Sequence, residues 1–450
     1  MRIALSFLAL TTLASAEFHP VSLGPRPYWL IDQMRDGPLK ETLATCAKEM
    51  TTFSLSDFSI GHRGACLQFP EHTLESYKAA AIQGAGIIEC DVTFTKDREL
   101  ICRHAQCDLH TTTNVVTIPE LNAKCTKPWE PNQGEAPLCC ASDFTLEEIK
   151  TLCAKMDSSN MLNASTPEEY AFGGTAGFRT DLYSDFVCPQ VPTHKESIEL
   201  ISRFEGYYTP ELKFPEVEMP FEGDYTQQMY AQQMIDEYIE AGIPPEQVWP
   251  QSFHWPDVYY WVANTTYGGQ AVALDENYEA TNEQIDAQLD ELLANNVTIV
   301  APPMQMLVEA APDTDNLVSI ETKWMIPSYY ANEAKDRGLG IITWTLERAG
   351  PGLSGFYYST TDGLVDLAEG DRFTLLHVLH EEVGILGIFS DWPATSTFYA
   401  NCFGLKLRQT TGGSLPEGEI PVSSSSPADG AFDSWKMIPL ALSLPIAITI

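Results

Sequence analysis

The sequence predicts an α/β fold: a closed barrel of eight parallel strands, with a long cysteine-rich insertion after the second strand. Three observations carry this. Extended apolar runs alternate with helix-like stretches along most of the chain, the pattern of a parallel sheet. Eight such units are the number that closes a barrel. One connection, about residues 105–203, breaks the alternation and is rich in Cys, Pro, Asn and Gly. Loops of that length are rare unless functional or separately folded.

The elements follow in chain order. Residues 1–16 read as a secretory signal, with Arg2 as the charged start, Ile3 to Leu13 as the apolar stretch and Ala14-Ser15-Ala16 as the cleavage site. The barrel domain is placed at 17–405. Its strand candidates lie near Phe58–His62, Ile87–Thr93, Tyr207–Lys213, Val248–Phe253, Ala271–Leu274, Val297–Ala301, Gly340–Thr345 and Leu386–Asp391. Amphipathic stretches at Leu74–Gln83, Gln227–Ala241, Asn282–Ala294, Tyr329–Arg337 and Arg372–Glu382 read as helices between them. Inside the insertion, Asp143 to Lys150 (DFTLEEIK) carries a capping residue and an acidic first turn. Residues 406–436 form a linker. Within it small residues Ser423 to Ser426 precede a polar spacer, and the apolar tail Met437 to Ile450 follows. That order fits a GPI-anchor signal, with plain secretion as the other outcome.

Composition narrows the function. Hydrophobic residues make up 44% of the 450 and charged residues 20%, which excludes wholesale disorder. The formal charge of −36 argues against nucleic-acid binding, which needs a basic surface. An anionic substrate then needs a bound cation or a few placed Arg and Lys. Acceptor tripeptides at Asn163, Asn264 and Asn296 agree with an extracellular route. Eleven cysteines imply disulfides and at least one free thiol. Cys90 is expected to be that thiol, because its side chain falls on the core-packing face of its strand. The cysteines from Cys102 to Cys153 are expected mostly to pair and hold the insertion.

The densest chemistry lies between Gly61 and His104. Glu89 and Asp91 are two apart in a strand and share one face, while Ile88, Cys90, Val92 and Phe94 share the other. Two carboxylates side by side inside a barrel repel unless a cation joins them, and hard oxygen ligands favour Ca²⁺ or Mg²⁺. Glu211 and Lys213 repeat the spacing, so Glu211 can complete a three-carboxylate site and Lys213 can hold a phosphate oxygen. Arg63 can do the same with a bidentate fork. His62 and His104 end two extended runs, where a pair of imidazoles can divide proton removal and proton donation. The plainer readings are a solvent-facing acidic strand, a surface Glu–Lys pair and structural histidines.

Taken together these residues resemble the glycerophosphodiester phosphodiesterases, and their bacterial periplasmic branch in particular. The motifs are His62-Arg63-Gly64, Pro70-Glu71-His72-Thr73, Glu89-Cys90-Asp91, Thr95-Lys96-Asp97 and His104. They continue through Pro210-Glu-Leu-Lys213, Gln251-Ser-Phe253, Thr343-Trp-Thr345 and Gly387 to Pro393 (GIFSDWP), covering roughly 58–402. The resemblance implies a (β/α)8 TIM barrel that hydrolyses glycerophosphodiesters, such as glycerophosphocholine, to sn-glycerol 3-phosphate and an alcohol. It implies Glu89, Asp91 and Glu211 as ligands of one divalent cation, Ca²⁺ in preference to Mg²⁺. His62 and His104 become the acid–base pair. Arg63 becomes the phosphate-holding group, Glu71 an ordering residue, Lys213 a substrate or carboxylate contact, and Phe253 and Trp344 pocket walls. The implied partner is a small-molecule diester, with membrane contact only through a lipid anchor. The sequence departs from the pattern at Ala105, Arg98 and Leu346-Glu347. Two other readings remain open on the same residues: a phospholipase D-like enzyme of the sphingomyelinase D type, and a non-catalytic surface or cell-wall protein.

Overall fold

The computed structural model describes residues 20–408, leaving out 133, 161–163, 180, 182–186, 312–324, 351, 354 and 362–367. The secretory signal, the acceptor Asn163, the anchor-attachment region and the apolar tail therefore lie outside the described residues.

Eleven strands form in chain order among the described residues: β1 (Ser56–Gly61), β2 (Ala85–Phe94), β3 (Leu100–Cys102), β4 (Tyr207–Leu212), β5 (Gln251–Ser252), β6 (Val272–Leu274), β7 (Ile299–Ala301), β8 (Val308–Ala310), β9 (Met325–Pro327), β10 (Gly340–Leu346) and β11 (Gly387–Ser390). The sheet runs β1-β11-β10-β7-β6-β5-β4-β2, and β1 also pairs with β2, so eight strands close on themselves. Every pairing around this ring is parallel. Each of the eight predicted runs holds one barrel strand. β3 adds antiparallel to β2, and β8 with β9 makes a separate hairpin.

The period-2 pattern sorts side chains as expected. Ile60, Ile87, Val272, Ile299, Ile342 and Phe389 pack together inside the ring. Phe58, Ile88, Cys90, Val92, Val300 and Ile388 face the surrounding helices. Register then does the functional work: Asp91 pairs with Glu211, and Glu211 with Gln251. Three polar side chains thus stand level near the C-terminal ends of adjacent strands, the end where barrels of this kind carry their sites.

The helices Leu74–Ile82, Gln227–Ala241, Asn282–Ala294 and Tyr329–Asp336 lie where the periodicity places them. Local chemistry sets their ends. Thr281 and Gln284 make a capping box, and Gly242, at φ +70°, closes its helix in the left-handed conformation. The fifth predicted helix forms over Asp371–His377 and continues as a π-helical turn over Val378–Val383. The reading by periodicity omits Arg26–Asp32, Pro38–Glu49, Trp255–Asn264 and Ala394–Cys402. Trp255–Asn264 carries four aromatic side chains in ten residues. Its Trp261 is fully buried and donates to the Ala231 carbonyl at 3.0 Å.

The irregular segment after β3 ends earlier than the sequence suggests. Residues His194–Arg203 form a regular helix opened by a Thr193–Glu196 capping box. The expected helix at Asp143 to Lys150 resolves into two short turns, Ala141–Asp143 and Leu146–Ile149, with Thr145 as the cap of the second. The insertion has a small apolar core of its own around Val115, Phe144, Leu152 and Tyr170. Disulfides Cys107–Cys140, Cys125–Cys139 and Cys153–Cys188 hold it.

Cys90 is not the free thiol. It does face outward from β2 as expected, but β3 folds back beside it and Cys90 bonds to Cys102. The spacing argument omitted β3, which brings that partner within reach. The free cysteine is Cys66, fully buried. A fifth disulfide, Cys46–Cys402, ties the helix Pro38–Glu49 to the helix Ala394–Cys402. A native bridge of this kind typically contributes about 2–4 kcal/mol.

Candidate active site

β1 ends at Gly61, and the turn after it carries His62, Arg63 and Gly64. Gly64 sits at φ +92°, where a Cβ would lie 2.3 Å from Ser76 Oγ, so only glycine fits. Arg63 itself is left-handed at φ +55°. That twist turns its backbone N–H onto Glu89 Oε2 at 2.9 Å, while its guanidinium donates to Glu71 Oε2 at 2.9 Å. Arg103, fully buried, donates to the carbonyls of Glu71 and His72 at 2.8 Å each and fixes the loop that carries them.

Glu89, Asp91 and Glu211 each bring one carboxylate oxygen within 4.8 Å of the other two, and all three are buried. The electrostatics follow from that crowding. Burial, then Asp91 and Glu211, push Glu89 well above its ordinary range. Burial raises Glu211 to about 7, although Lys213 donates to it at 2.6 Å and opposes the rise. For Asp91, burial also raises the pKa but is outweighed by His72, which bonds it at 2.8 Å, and by Lys213. His72 is itself held by the Tyr77 hydroxyl at 2.9 Å. Gln251 donates to Glu89 Oε1 at 3.0 Å. Asp91 Oδ1 is buried without a hydrogen-bond partner. An all-oxygen set with like charges crowded together and one lone oxygen fits a hard divalent cation.

His62 bonds through Nδ1 to Asp391 Oδ1 at 2.5 Å, and its Nε2 lies 3.9 Å from Glu89 Oε2. Burial lowers the imidazole to about 4, with Asp391 pulling the other way. Asp391 falls below its usual range: burial opposes this, but Arg348, donating at 3.1 Å, and His62 prevail. His104 follows β3, and burial, then Arg63 and Lys213, hold it well below the usual imidazole value.

One cavity of about 690 Å³ is lined by His62, His104, Arg63, Glu89, Glu211, Lys213, Phe253 and Trp344 among others. Eight of the ten residues singled out from the sequence therefore meet at one opening. Asp91 does not line the cavity, though one of its oxygens lies within 4.8 Å of Glu89 and Glu211. Glu71 does not line the cavity; it holds Arg63 and lies 3.8 Å from Arg348. Spacing alone passed over Asp391, Arg348 and Tyr357. Asp391 ends the last predicted strand, and that position was the available signal. Arg348 and Tyr357 follow β10 in an irregular stretch without periodicity.

A model of the glycerophosphoryl diester phosphodiesterase family matches residues 62–395. The chain belongs to that family. It is thus a phosphoric diester hydrolase by class. A protein of Arthroderma benhamiae named only as extracellular is 40% identical over 258 residues, 56% of this chain and 100% of that one. A glycerophosphodiester phosphodiesterase of Bacillus subtilis is 27% identical over 195 residues, 43% of this chain and 52% of its own. A crystal structure assigned to the same family, from Silicibacter pomeroyi, superimposes with a TM-score of 0.50 at 16% identity, over 79% of this chain and 96% of that one. It shares the barrel fold with this phosphodiesterase. No helix among the described residues is long and apolar enough to cross a membrane.

Proposed function

We propose that this phosphodiesterase hydrolyses glycerophosphodiesters, such as glycerophosphocholine, to sn-glycerol 3-phosphate and an alcohol. The observation that carries the reading is the single cavity where two histidines, an arginine and a lysine surround three crowded carboxylates. Glu89, Asp91 and Glu211 hold the divalent cation. When bound, it offsets the charge of the diester and of the phosphorane-like transition state. Ca²⁺ is proposed over Mg²⁺, because an all-carboxylate set would take up Ca²⁺ readily whereas Mg²⁺ keeps its water.

Arg63 and Lys213 share the work of charge neutralisation. One imidazole takes the proton of the nucleophile, either water or the glycerol 2-hydroxyl. The other gives a proton to the departing alkoxide as its P–O bond breaks. With His62 Nδ1 tied to Asp391, its Nε2 is the nitrogen that exchanges protons in the cavity. Asp391 is a positioning residue in this scheme. Asp391→Asn is expected to lower kcat by about 10²–10⁴-fold while KM stays within about threefold, the pattern of a misplaced tautomer. A change in KM alone would remove Asp391 from that role.

The direct test is product analysis. Purified protein with glycerophosphocholine and Ca²⁺ is expected to release choline and glycerol 3-phosphate in equal amounts. Release of phosphocholine, or turnover of sphingomyelin with none of glycerophosphocholine, sinks the proposal; the second result favours the phospholipase D-like reading. No turnover of either leaves the non-catalytic reading. The extracellular relative supports secretion. The terminal pattern of Ser423 to Ser426, spacer and apolar tail supports a GPI tether at the cell surface.

A further inference from the structure

The insertion touches residues that hold the active site in place. Its disulfide Cys153–Cys188 closes a loop that carries both Asp157 and Arg179. Lys155, buried, donates to the carbonyls of Met156 and Ser158 at 3.0 and 2.6 Å, and to that of Thr111 at 2.6 Å. Those bonds fix the backbone on either side of Asp157. One Asp157 oxygen pairs with the guanidinium of Arg179, which also donates to the Cys66 carbonyl at 2.9 Å. The other oxygen lies 3.7 Å from Nη2 of Arg348. Arg348 lines the barrel cavity, and its Nη1 donates to Asp391 Oδ2 at 3.1 Å and meets Cys66 Sγ at 3.6 Å. Asp391 in turn bonds His62. The stretch after β10 that carries Arg348 is backed by the insertion as well: at Gly350, φ +84°, a Cβ would stand 2.5 Å from the Phe178 ring.

We propose that the insertion completes the catalytic centre: Asp157, steadied by Arg179, is a positioning residue that holds Arg348 on Asp391 and so keeps His62 in its working orientation. The inference rests on the reading of His62 as a proton-exchanging group and adds a further residue to that machinery. A guanidinium on a flexible stem beside an open cavity has other places to go. It can turn toward Glu71, whose Oε2 lies 3.8 Å away, or toward an incoming phosphate, which it binds well. A carboxylate fixed by the insertion removes that freedom, and Arg348 stays with Asp391. Asp391 depends on it. The side chain is fully buried, and a buried charge that loses a partner is strongly destabilised. Left with His62 alone, Asp391 would be free to turn or to take up a proton, and either change releases the imidazole tautomer.

Kinetics and thiol labelling test this on the full-length protein. Asp157→Asn keeps the shape of the side chain and removes its charge. It is expected to lower kcat on glycerophosphocholine about 10–100-fold, with KM within about threefold. In an Asp391→Asn background the same change should cost no more than about threefold, because the contact it acts through is already gone. Cys66 gives a readout that needs no turnover. It is the free thiol, fully buried against Arg348. It should react with a maleimide at least about tenfold faster in Asp157→Asn than in the wild type, at a near-native melting temperature. Arg179→Gln should show the same pattern, and it stands in if Asp157→Asn fails to fold. A kcat unchanged by Asp157→Asn, a loss of equal size in both backgrounds, or a Cys66 as slow as in the wild type overturns the proposal. If the wild type turns over no diester, the catalytic reading fails by itself. The labelling rates then decide alone whether Asp157 holds Arg348: faster labelling in the variant supports it, and an unchanged rate overturns it.

Discussion

His62→Ala and His104→Ala are each expected to lower kcat on glycerophosphocholine by about 10²–10⁴-fold, the range for loss of a positioned general acid or base. Both side chains line the same cavity as Arg63, Lys213 and the carboxylates, so neither can be replaced by bulk water at the same point. The His62 change leaves Asp391 held by Arg348 at 3.1 Å and Arg63 held by Glu71 at 2.9 Å. The surrounding charges thus stay paired, and a near-native melting temperature should accompany the lost activity. A diester with a p-nitrophenolate leaving group needs little proton donation. It should restore turnover in the variant that lacks the acid and not in the one that lacks the base, which assigns the two roles. If both alanine variants keep a tenth of the wild-type rate, the histidine pair is not the acid–base machinery.

Chelation is the second large effect. Removing divalent ions should abolish turnover, and added Ca²⁺ should restore it. Asp91→Asn and Glu89→Gln should lower cation affinity and activity together. The binding half of that claim has a readout of its own. A ligand at a hundredfold its Kd stabilises the folded state by about 2.7 kcal/mol, so Ca²⁺ should raise the melting temperature of the wild type. The same addition should barely move either variant. Without the cation, three carboxylates whose oxygens lie within 4.8 Å of one another repel in a buried place. Glu89→Gln should therefore cost the cation-free protein little stability, whereas Asp91→Asn also weakens the bond to His72 and should cost more. A chelated enzyme that works at full rate would remove the metal from the scheme.

The barrel was legible because short apolar runs alternate along the chain with helix-like stretches. Glu89, Asp91, Glu211 and Lys213 were legible because a spacing of two on a strand places side chains on one face. Where no period exists, the reading thinned. Arg348 and Tyr357 lie beyond β10 in a stretch that no pattern marks, and they reach the cavity only because the barrel ends bring separate loops together. Asp391 was visible as a strand end, but its bond to His62 joins residues 329 apart in sequence. Cys90 was placed on the correct face and given the wrong state. The strand that supplies its partner has three residues, too few to show alternation. The helix at His194–Arg203 was absorbed into the insertion because the cysteine-rich run ahead of it hid the return to regular structure.

Cys90 lies between two of the crowded carboxylates, and Cys102 stands two residues before His104. The bond joining them ties the strand of acidic side chains to the stem of the second imidazole. A cytosol that keeps thiols reduced would make this polypeptide without the tie, whereas the secretory route forms it. Chemistry and itinerary are linked at this one point. On the secretory route proposed for this chain, export and the forming of that bond would go together, and a copy retained inside the cell would lack the fastening between strand and imidazole stem.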